Sequence, residues 1–279
     1  MYKVAKILNH NAILAIKEDG IQEYLLMGKG IGFGKKISET IEAGDDCRIY
    51  SLMDNTNEGT DGAKQLIKKI DPMYFEISNV ILDRAEKEFG RIDRSIMFPM
   101  ADHIAFAAQR IKNGEAISNP LTQDIKILFY KEYKIASMVR PLLKNIDNID
   151  VEDDEIGYLA LHVHSAICDD KVSNAMIMAG SVRECITLIE NDSKKHIDVQ
   201  TMSYNLLMNH IKYMVARAIG GEDLKFDMND YIRQNFPKAF EISKMVCNHL
   251  SEQLNRKLHE NEIGYLAIHI ARVYSNDDG

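Results

Sequence analysis

Four short apolar runs open the chain. "YKVAKIL", "NAILAIKE", "QEYLLMG" and "DCRIYSL" are rich in β-branched or aromatic residues and are parted by turn residues. Asp19-Gly20 is a hairpin-type turn signal. The pattern predicts a small antiparallel sheet within residues 1–57. Its strands are too few and too short to be very stable alone, so it is expected to pair, for instance with a second copy of itself. Met53 to Lys64, "MDNTNEGTDGAK", is polar and has no apolar period, and it reads as a linker.

Beyond the linker the apolar positions recur at helical spacing. Ile104, Ala107, Ala108 and Ile111 hold one helix face. Ile211, Met214, Val215 and Ala218 repeat it at a constant offset, position 104 falling on 211 and 111 on 218. Both runs end in glycine, as "NG" and "GG", a normal helix stop. The same offset joins "YKIASMV" (from Tyr133) to "FEISKMV" (from Phe240), and "EIGYLALHVHSA" (from Glu155) to "EIGYLAIHIARV" (from Glu262). So long a period means tandem domains rather than a solenoid of short units. The expected architecture is an α+β multidomain protein. A small antiparallel β-sheet domain (1–57), expected to be dimeric, precedes two tandem all-α bundles at 65–170 and 172–279.

Composition narrows this only a little. A chain of 279 residues, about half of them apolar, can bury a sizeable core. Five prolines and no tryptophan, with many Leu, Ile, Met, Lys and Glu, favour helices. A net charge of -8 argues against bulk nucleic-acid binding by the whole chain, although not against a small basic patch. Cys47, Cys168, Cys185 and Cys247 are scattered without a C-x-x-C pair, which fits free thiols in a reducing cytoplasm. The N-terminus does not read as a signal peptide, and no run approaches the ~18 apolar residues of a membrane helix. A cytoplasmic protein is expected.

Two histidines recur in each half, His103 with His162 and His210 with His269. On the later helix, Glu155, Tyr158 and Leu159 share the face of His162, as Glu262, Tyr265 and Leu266 share that of His269. Ile156, Leu159, Ala160 and Val163 form the core stripe, with His162 at its edge, where a ring can be both held and reached. Three readings stand. The rings are satisfied core or boundary histidines kept by duplication. Or they bind metal, although two per half are too few for a closed zinc site. Asp102 and Glu155 could add oxygens, but Asn209 replaces the first carboxylate in the second half. Or they are reversibly phosphorylated, since neutral imidazole accepts a phosphoryl group and a carboxylate such as Asp102 can fix its tautomer. His164, His196, His249 and His259 have no repeated partner and read as structural or surface residues.

"GKGIGFGKK", Gly28 to Lys36, fails the P-loop pattern because Lys36 stands where Ser or Thr is needed. It fails the dinucleotide pattern because Phe33 replaces the third glycine. One reading is a twisted hairpin with glycines at bulges. The other is nucleic-acid contact. Residues 1–36 hold six lysines against three acids, Phe33 offers a stacking face, and the "NHN" turn at Asn9 to Asn11 presents amides suited to base edges. With no helix here to enter a major groove, RNA fits better than DNA.

"MGKGIGFGKK", "ADHI" and both "EIGYLA-x-H" segments, in this order and at these lengths, resemble the BglG/SacY/LicT-type transcriptional antiterminators of bacteria. The resemblance spans essentially the whole chain, and "GKGIGFGKK" is similar to the glucose-type branch. It implies an RNA-binding domain acting as a symmetric dimer of four-stranded sheets, followed by two PTS-regulation domains. It implies a regulator rather than an enzyme, with no cofactor and no metal. A hairpin in leader mRNA is bound, an overlapping terminator is prevented, and a sugar-utilisation operon is transcribed. Lys6, Asn9, Asn11, Gly28, Lys29, Gly30 and Phe33 fall on the family's RNA-contacting positions. His103, His162, His210 and His269 fall on its phosphorylation sites, served by HPr and the IIB component of a sugar permease. His10 stands where relatives carry asparagine, and Lys29 where many carry arginine, whose planar fork lysine lacks. A phosphotransfer or metal enzyme built on the four histidines is the alternative of another class. Metal content of the purified protein separates it. A DNA-binding activator carrying the same regulation domains is a further alternative, and the lack of a helix-turn-helix pattern in residues 1–57 counts against it.

Overall fold

The computed structural model describes residues 1–18, 20, 22–44, 46–52, 60–168, 171–194, 197 and 201–275. They gather into two compact units, Met1–Ser118 with Glu132–Asp169, and Asn119–Lys131 with Asp170–Gly279.

The first unit opens with the predicted sheet. Its strands are β1 (Tyr2–Ile7), β2 (Ala12–Lys17), β3 (Glu23–Met27), β4 (Thr40–Ile41) and β5 (Arg48–Ser51). They run β4-β1-β2-β3-β5 with every neighbour antiparallel. Four of the five follow the apolar runs of the sequence. The fifth, β4, has two residues and cannot show an alternation of its own. Asp19 of the predicted hairpin turn lies outside the described residues. Side chains alternate between faces along a strand. Val4, Ile13, Ala15, Leu26 and Ile41 are buried together on one face. Leu25 and its cross-strand partner Tyr50 lie on the other and are buried too. There Tyr50 meets Phe98 edge-on at 6.0 Å, and its hydroxyl donates to Asn79 Oδ1 at 2.6 Å. The second face of the sheet is therefore covered by helices of the same unit.

The helices are α1 (Thr60–Lys69), α2 (Pro72–Phe89), α3 (Met97–Lys112), α4 (Thr122–Leu128), α5 (Tyr130–Ala136), α6 (Val139–Asp147), α7 (Asp153–Cys168), α8 (Val172–Ser193), α9 (Met202–Gly220), α10 (Asn229–Asn235), α11 (Pro237–Gln253) and α12 (Asn261–Ser275). The predicted linker is corrected at its end, because α1 already begins at Thr60. Thr, Asp and Gly at that point signal a turn but equally suit a helix start. Met53 to Glu58 and the adjoining Gly59 fall outside the described residues. Asp71 caps α2 by accepting from Met73 N–H, with Pro72 at the first helical position. Thr201 caps α9 in the same way, and Gly221, at φ 70°, ends it.

The long sequence repeat survives as structure. It carries α3 onto α9, α4 onto α10 and α7 onto α12. The helix α11 corresponds to positions 130–146, which form two helices, α5 and α6. Pro141 explains the break. It lacks the N–H that would bond to Ser137, and its ring crowds that carbonyl. Asn248 stands at the matching position of the unbroken helix. The segment Asn119–Lys131, which includes α4, belongs with the second unit, where α4 packs on α8 and α9.

Candidate RNA-binding loop and histidine sites

The end of β1, the start of β2 and the end of β3 meet at one end of the sheet, because successive strands are antiparallel. The turn between β1 and β2 carries Asn9 and Asn11, and the loop after β3 carries Gly28, Lys29, Gly30 and Phe33. Hydrogen bonds tie the two loops together. Gly28 N–H donates to Asn11 O at 2.9 Å, and Gly32 N–H to His10 O at 2.9 Å. Gly30 N–H donates to Asn11 Oδ1 at 2.9 Å, and Asn11 N–H to Asn9 Oδ1 at 2.8 Å. Phe33 is 69% exposed and stands edge-on to His10 at 5.4 Å. Lys6, on β1, and Lys29 are exposed. The result is a projecting aromatic ring on a tightly bonded loop pair, with exposed lysines at the same end of the sheet. Gly32, not singled out in the sequence, locks that pair. A Cβ there would stand 2.2 Å from Asn9 O.

The asparagine amides do not face open solvent. Asn9 Nδ2 donates to Glu76 Oε1 at 2.6 Å, and Asn11 Nδ2 to Glu76 Oε2 at 3.0 Å. Glu76 belongs to α2.

In the first helical repeat His103 lies on α3, two turns before Arg110 and on the same face. Glu155, Tyr158 and His162 come from α7. His103 Nε2 lies 3.2 Å from Glu155 Oε2, and Arg110 Nη2 donates to Glu155 Oε1 at 2.6 Å. The His103 ring is 5.5 Å from that of His162 and 5.8 Å from that of Tyr158. The second repeat rebuilds this set with one change. Arg217 takes both oxygens of Glu262, through Nε at 2.7 Å and Nη2 at 2.8 Å. His210 Nε2 is left 4.0 Å from Glu262 Oε2, and its ring lies 4.6 Å from His269 in a stack.

Two expectations are corrected here. Asp102 is exposed on α3, and the carboxylate beside His103 is Glu155. Adjacent residues on a helix point in different directions, whereas α7 brings Glu155 across. His162 is also buried rather than poised at a reachable edge, with Nδ1 enclosed and lacking a hydrogen-bond partner among the described residues. Sequence reasoning missed the arginines, although Arg110 and Arg217 are related by the same offset as His103 and His210, so the signal is legible. Of the unrepeated histidines, His164 is buried with Nδ1 3.0 Å from Glu132 Oε1. His249 Nε2 lies 2.9 Å from Glu184, and His259 Nδ1 accepts from Asn261 N–H. His196 lies outside the described residues. Among the described residues no group of three His, Cys, Asp or Glu is placed to hold a metal ion, and no helix is long and apolar enough to cross a membrane.

Burial fixes the charge state of two of these rings. It pushes His162 down to about 3, helped by the neighbouring ring of His103. It pushes His210 down to about 3, helped by His269 and Arg217. His269 is lowered as well, by burial and then by Arg272. A ring whose folded value is depressed binds its proton sooner when unfolded. Its folded form therefore loses ground as pH falls below about 6.5, by about 1 kcal/mol per pH unit for each of His162 and His210, and His269 acts in the same direction. His164 acts in the opposite sense. Burial opposes its protonation, but Cys168 and Glu132 prevail and raise it. Three lowered rings outweigh one raised, so the urea midpoint is expected to fall between pH 7.5 and pH 5.5. An unchanged midpoint would contradict the burial of His162 and His210.

Known proteins show the same organisation. A family model described as the CAT RNA binding domain matches residues 2–59, and one described as the PRD domain matches twice, at 76–166 and 183–273. From 76 to 183 and from 166 to 273, both ends of the PRD match step by the offset of the sequence repeat. The chain is 28% identical over 278 residues to protein GlcT of Staphylococcus saprophyticus, covering 99% of this chain and 98% of the relative. It is 31% identical to protein GlcT of Staphylococcus haemolyticus, covering 96% of this chain and 95% of that relative. With transcription antiterminator LicT of Bacillus subtilis it shares 27% identity, over 97% of this chain and 98% of the relative. The crystal structure of GlcT CAT-PRDI superposes with a TM-score of 0.50 at 32% identity, over 60% of this chain and 98% of that one. With one CAT match ahead of two PRD matches, the chain belongs to the family of transcriptional antiterminators that join an RNA-binding CAT domain to paired PRD domains.

Proposed function

We propose that this chain is a transcriptional antiterminator switched by histidine phosphorylation. Residues 1–57, as a homodimer, bind a hairpin in nascent leader mRNA through Lys6, Asn9, Asn11, Gly28, Lys29, Gly30 and Phe33. The hairpin's capture prevents an overlapping terminator, and a sugar-utilisation operon is read through. The regulation domains, 65–170 and 172–279, receive phosphate on His103, His162, His210 and His269. The donors are HPr and the IIB component of a sugar permease. The protein is a substrate of phosphotransfer, works without a metal or cofactor, and acts in the cytoplasm.

The observation that carries this is the duplicated set of two imidazoles against a Glu–Arg pair. A carboxylate only accepts, so the contact with Glu155 places a proton on His103 Nε2. In the neutral ring Nδ1 then holds the lone pair that attacks phosphorus, while the bond from phosphorus to the donor's own side chain breaks and that side chain leaves with the electron pair. Phosphorylation adds nearly two negative charges beside the carboxylate of Glu155. Arg110 is the cation already in reach, and it turns from Glu155 toward the new group. A charge of that size cannot stay in a seam as closed as the one around His162, so α3 and α7 must repack. Between α9 and α12 Arg217 is likewise the cation in reach of a new phosphate, although Glu262 lies too far from His210 to fix its tautomer.

The test is a gel-shift titration of the full chain against a hairpin RNA with internal mismatches. Fully paired RNA and the equivalent DNA are controls, and each is run before and after treatment with phosphoenolpyruvate, enzyme I and HPr. Tight binding is expected for the mismatched RNA alone, changed by phosphorylation that mass spectrometry maps to some of the four histidines. Phe33→Ala is expected to weaken binding by about 1–3 kcal/mol. Equal affinity for all three nucleic acids, or phosphate on His164 alone, would overturn the reading.

A further inference from the structure

Asn9 and Asn11 each spend their acceptor atom inside the loop pair. Asn9 Oδ1 takes the N–H of Asn11, and Asn11 Oδ1 takes the N–H of Gly30. A side-chain amide has an oxygen that accepts and a nitrogen that donates. With both oxygens committed to backbone N–H groups, the orientation of the amides is settled. Both Nδ2 atoms turn outward and converge on one point. At that point sits a single carboxylate, with Asn9 2.6 Å from one oxygen of Glu76 and Asn11 3.0 Å from the other.

Such a fork donates only. An asparagine that reads a base edge uses its oxygen and its nitrogen together. Each oxygen here is turned toward a backbone N–H and each nitrogen toward Glu76, so the two ends of neither amide are presented together to a base edge. A pair of donors aimed at two oxygens of one acidic group suits a carboxylate or a phosphate. The exposed Lys6 and Lys29 lie at the same end of the sheet and favour the anion.

We propose that the Asn9–Asn11 fork is a subsite for one backbone phosphate of RNA, and that Glu76 occupies it while RNA is absent. This rests on the RNA-binding reading above. The carboxylate and the phosphate need the same two N–H groups, so their occupancy is mutually exclusive. Glu76 sits on α2, in the helical bundle, and is in this way a competitor carried by the regulated part of the chain. Anything that draws α2 away from the loop pair frees the fork, and RNA binding in turn favours that withdrawal.

The test uses the full chain and the mismatched hairpin. Glu76→Gln keeps the size of the side chain but offers one acceptor, and its own NH2 faces an amide donor. It is expected to lower the dissociation constant for the hairpin about tenfold, and Glu76→Ala at least as far. In an Asn9→Ala background the gain is expected to shrink, because the competitor and the phosphate are lost together. Methylphosphonate substitution, one backbone position at a time, is expected to reveal one phosphate whose neutralisation abolishes the advantage of Glu76→Gln. An unchanged constant in both Glu76 variants, while Phe33→Ala still weakens binding, would overturn the fork and leave the RNA reading standing. If Phe33→Ala also has no effect, the RNA reading itself has failed. Tighter binding without any sensitive phosphate would overturn the assignment of the ligand.

Discussion

Glu262→Ala is expected to destabilise the second unit by about 3 kcal/mol, the low end for removing one partner of a buried ion pair. Glu262 is almost fully buried, and both its oxygens are held by Arg217. Truncation takes away the hydrogen-bonded carboxylate and leaves only the weaker field of Glu222, in a site where about a fifth of the Arg217 side chain meets solvent. That residual exposure sets the loss at the low end, since water can partly replace Glu262. The pair also raises the hold of Arg217 on its proton, through the hydrogen bond to Glu262. Removing both charges is a different experiment. Glu262→Leu with Arg217→Leu is expected to recover most of the stability, because apolar groups of similar size suit a buried site. The double variant keeps the fold but has no guanidinium to meet a phosphorylated His210. Hydrogen exchange of peptides from α9 and α12 reads the loss locally, which matters in a chain of two units. Equal protection in Glu262→Ala and the parent chain would show that the bidentate pair does not hold the seam.

Much of this is written plainly in the chain. The short apolar runs "YKVAKIL" and "NAILAIKE", parted by turn residues, place β1 and β2, and the constant offset between the halves places α3 with α9 and α7 with α12. Local pattern suffices there because a short apolar run or a repeated apolar stripe marks the buried surface of an element whatever lies against it. What stays hidden depends on contacts distant in sequence. Glu155 reaches His103 across 52 residues, and Glu76 reaches Asn9 across 67. Neither has a local signature. The linker reads too long because turn-forming residues also start helices. Pro141 is legible as a breaker, but only the contrast with α11 shows that it divides one helix into two. The direction of the asparagine amides cannot be read from "NHN" at all. It follows from which backbone N–H groups the folded loops aim at their oxygens.

Gly32→Ala is expected to damage the RNA-binding loop pair more than any other glycine change in it. The cause is space rather than backbone freedom, since the new Cβ would fall 2.2 Å from the carbonyl oxygen of Asn9 and 3.2 Å from Ile13 Cγ2. The first neighbour is backbone and cannot rotate aside. Either the β1–β2 turn or the glycine loop must move, and the bond from Gly32 N–H to His10 O breaks with it. The cost is expected to be about 2–3 kcal/mol of stability in the sheet, the upper range for overpacking a closed site. Gly30→Ala has another origin of strain. Gly30 sits at φ 71° with nothing within 4 Å of its Cβ position, so only the left-handed backbone is penalised, by about 1–2 kcal/mol. Gly44→Ala is the neutral control, with open space and no positive φ. The order of the three in urea unfolding separates steric from conformational cost. Function is expected to follow the same order, because displacing Asn9 and Asn11 misaims both amides. Gly32→Ala should lose more than tenfold in affinity for the mismatched hairpin. If it binds and unfolds like Gly44→Ala, the close packing of the two loops is not what shapes the site.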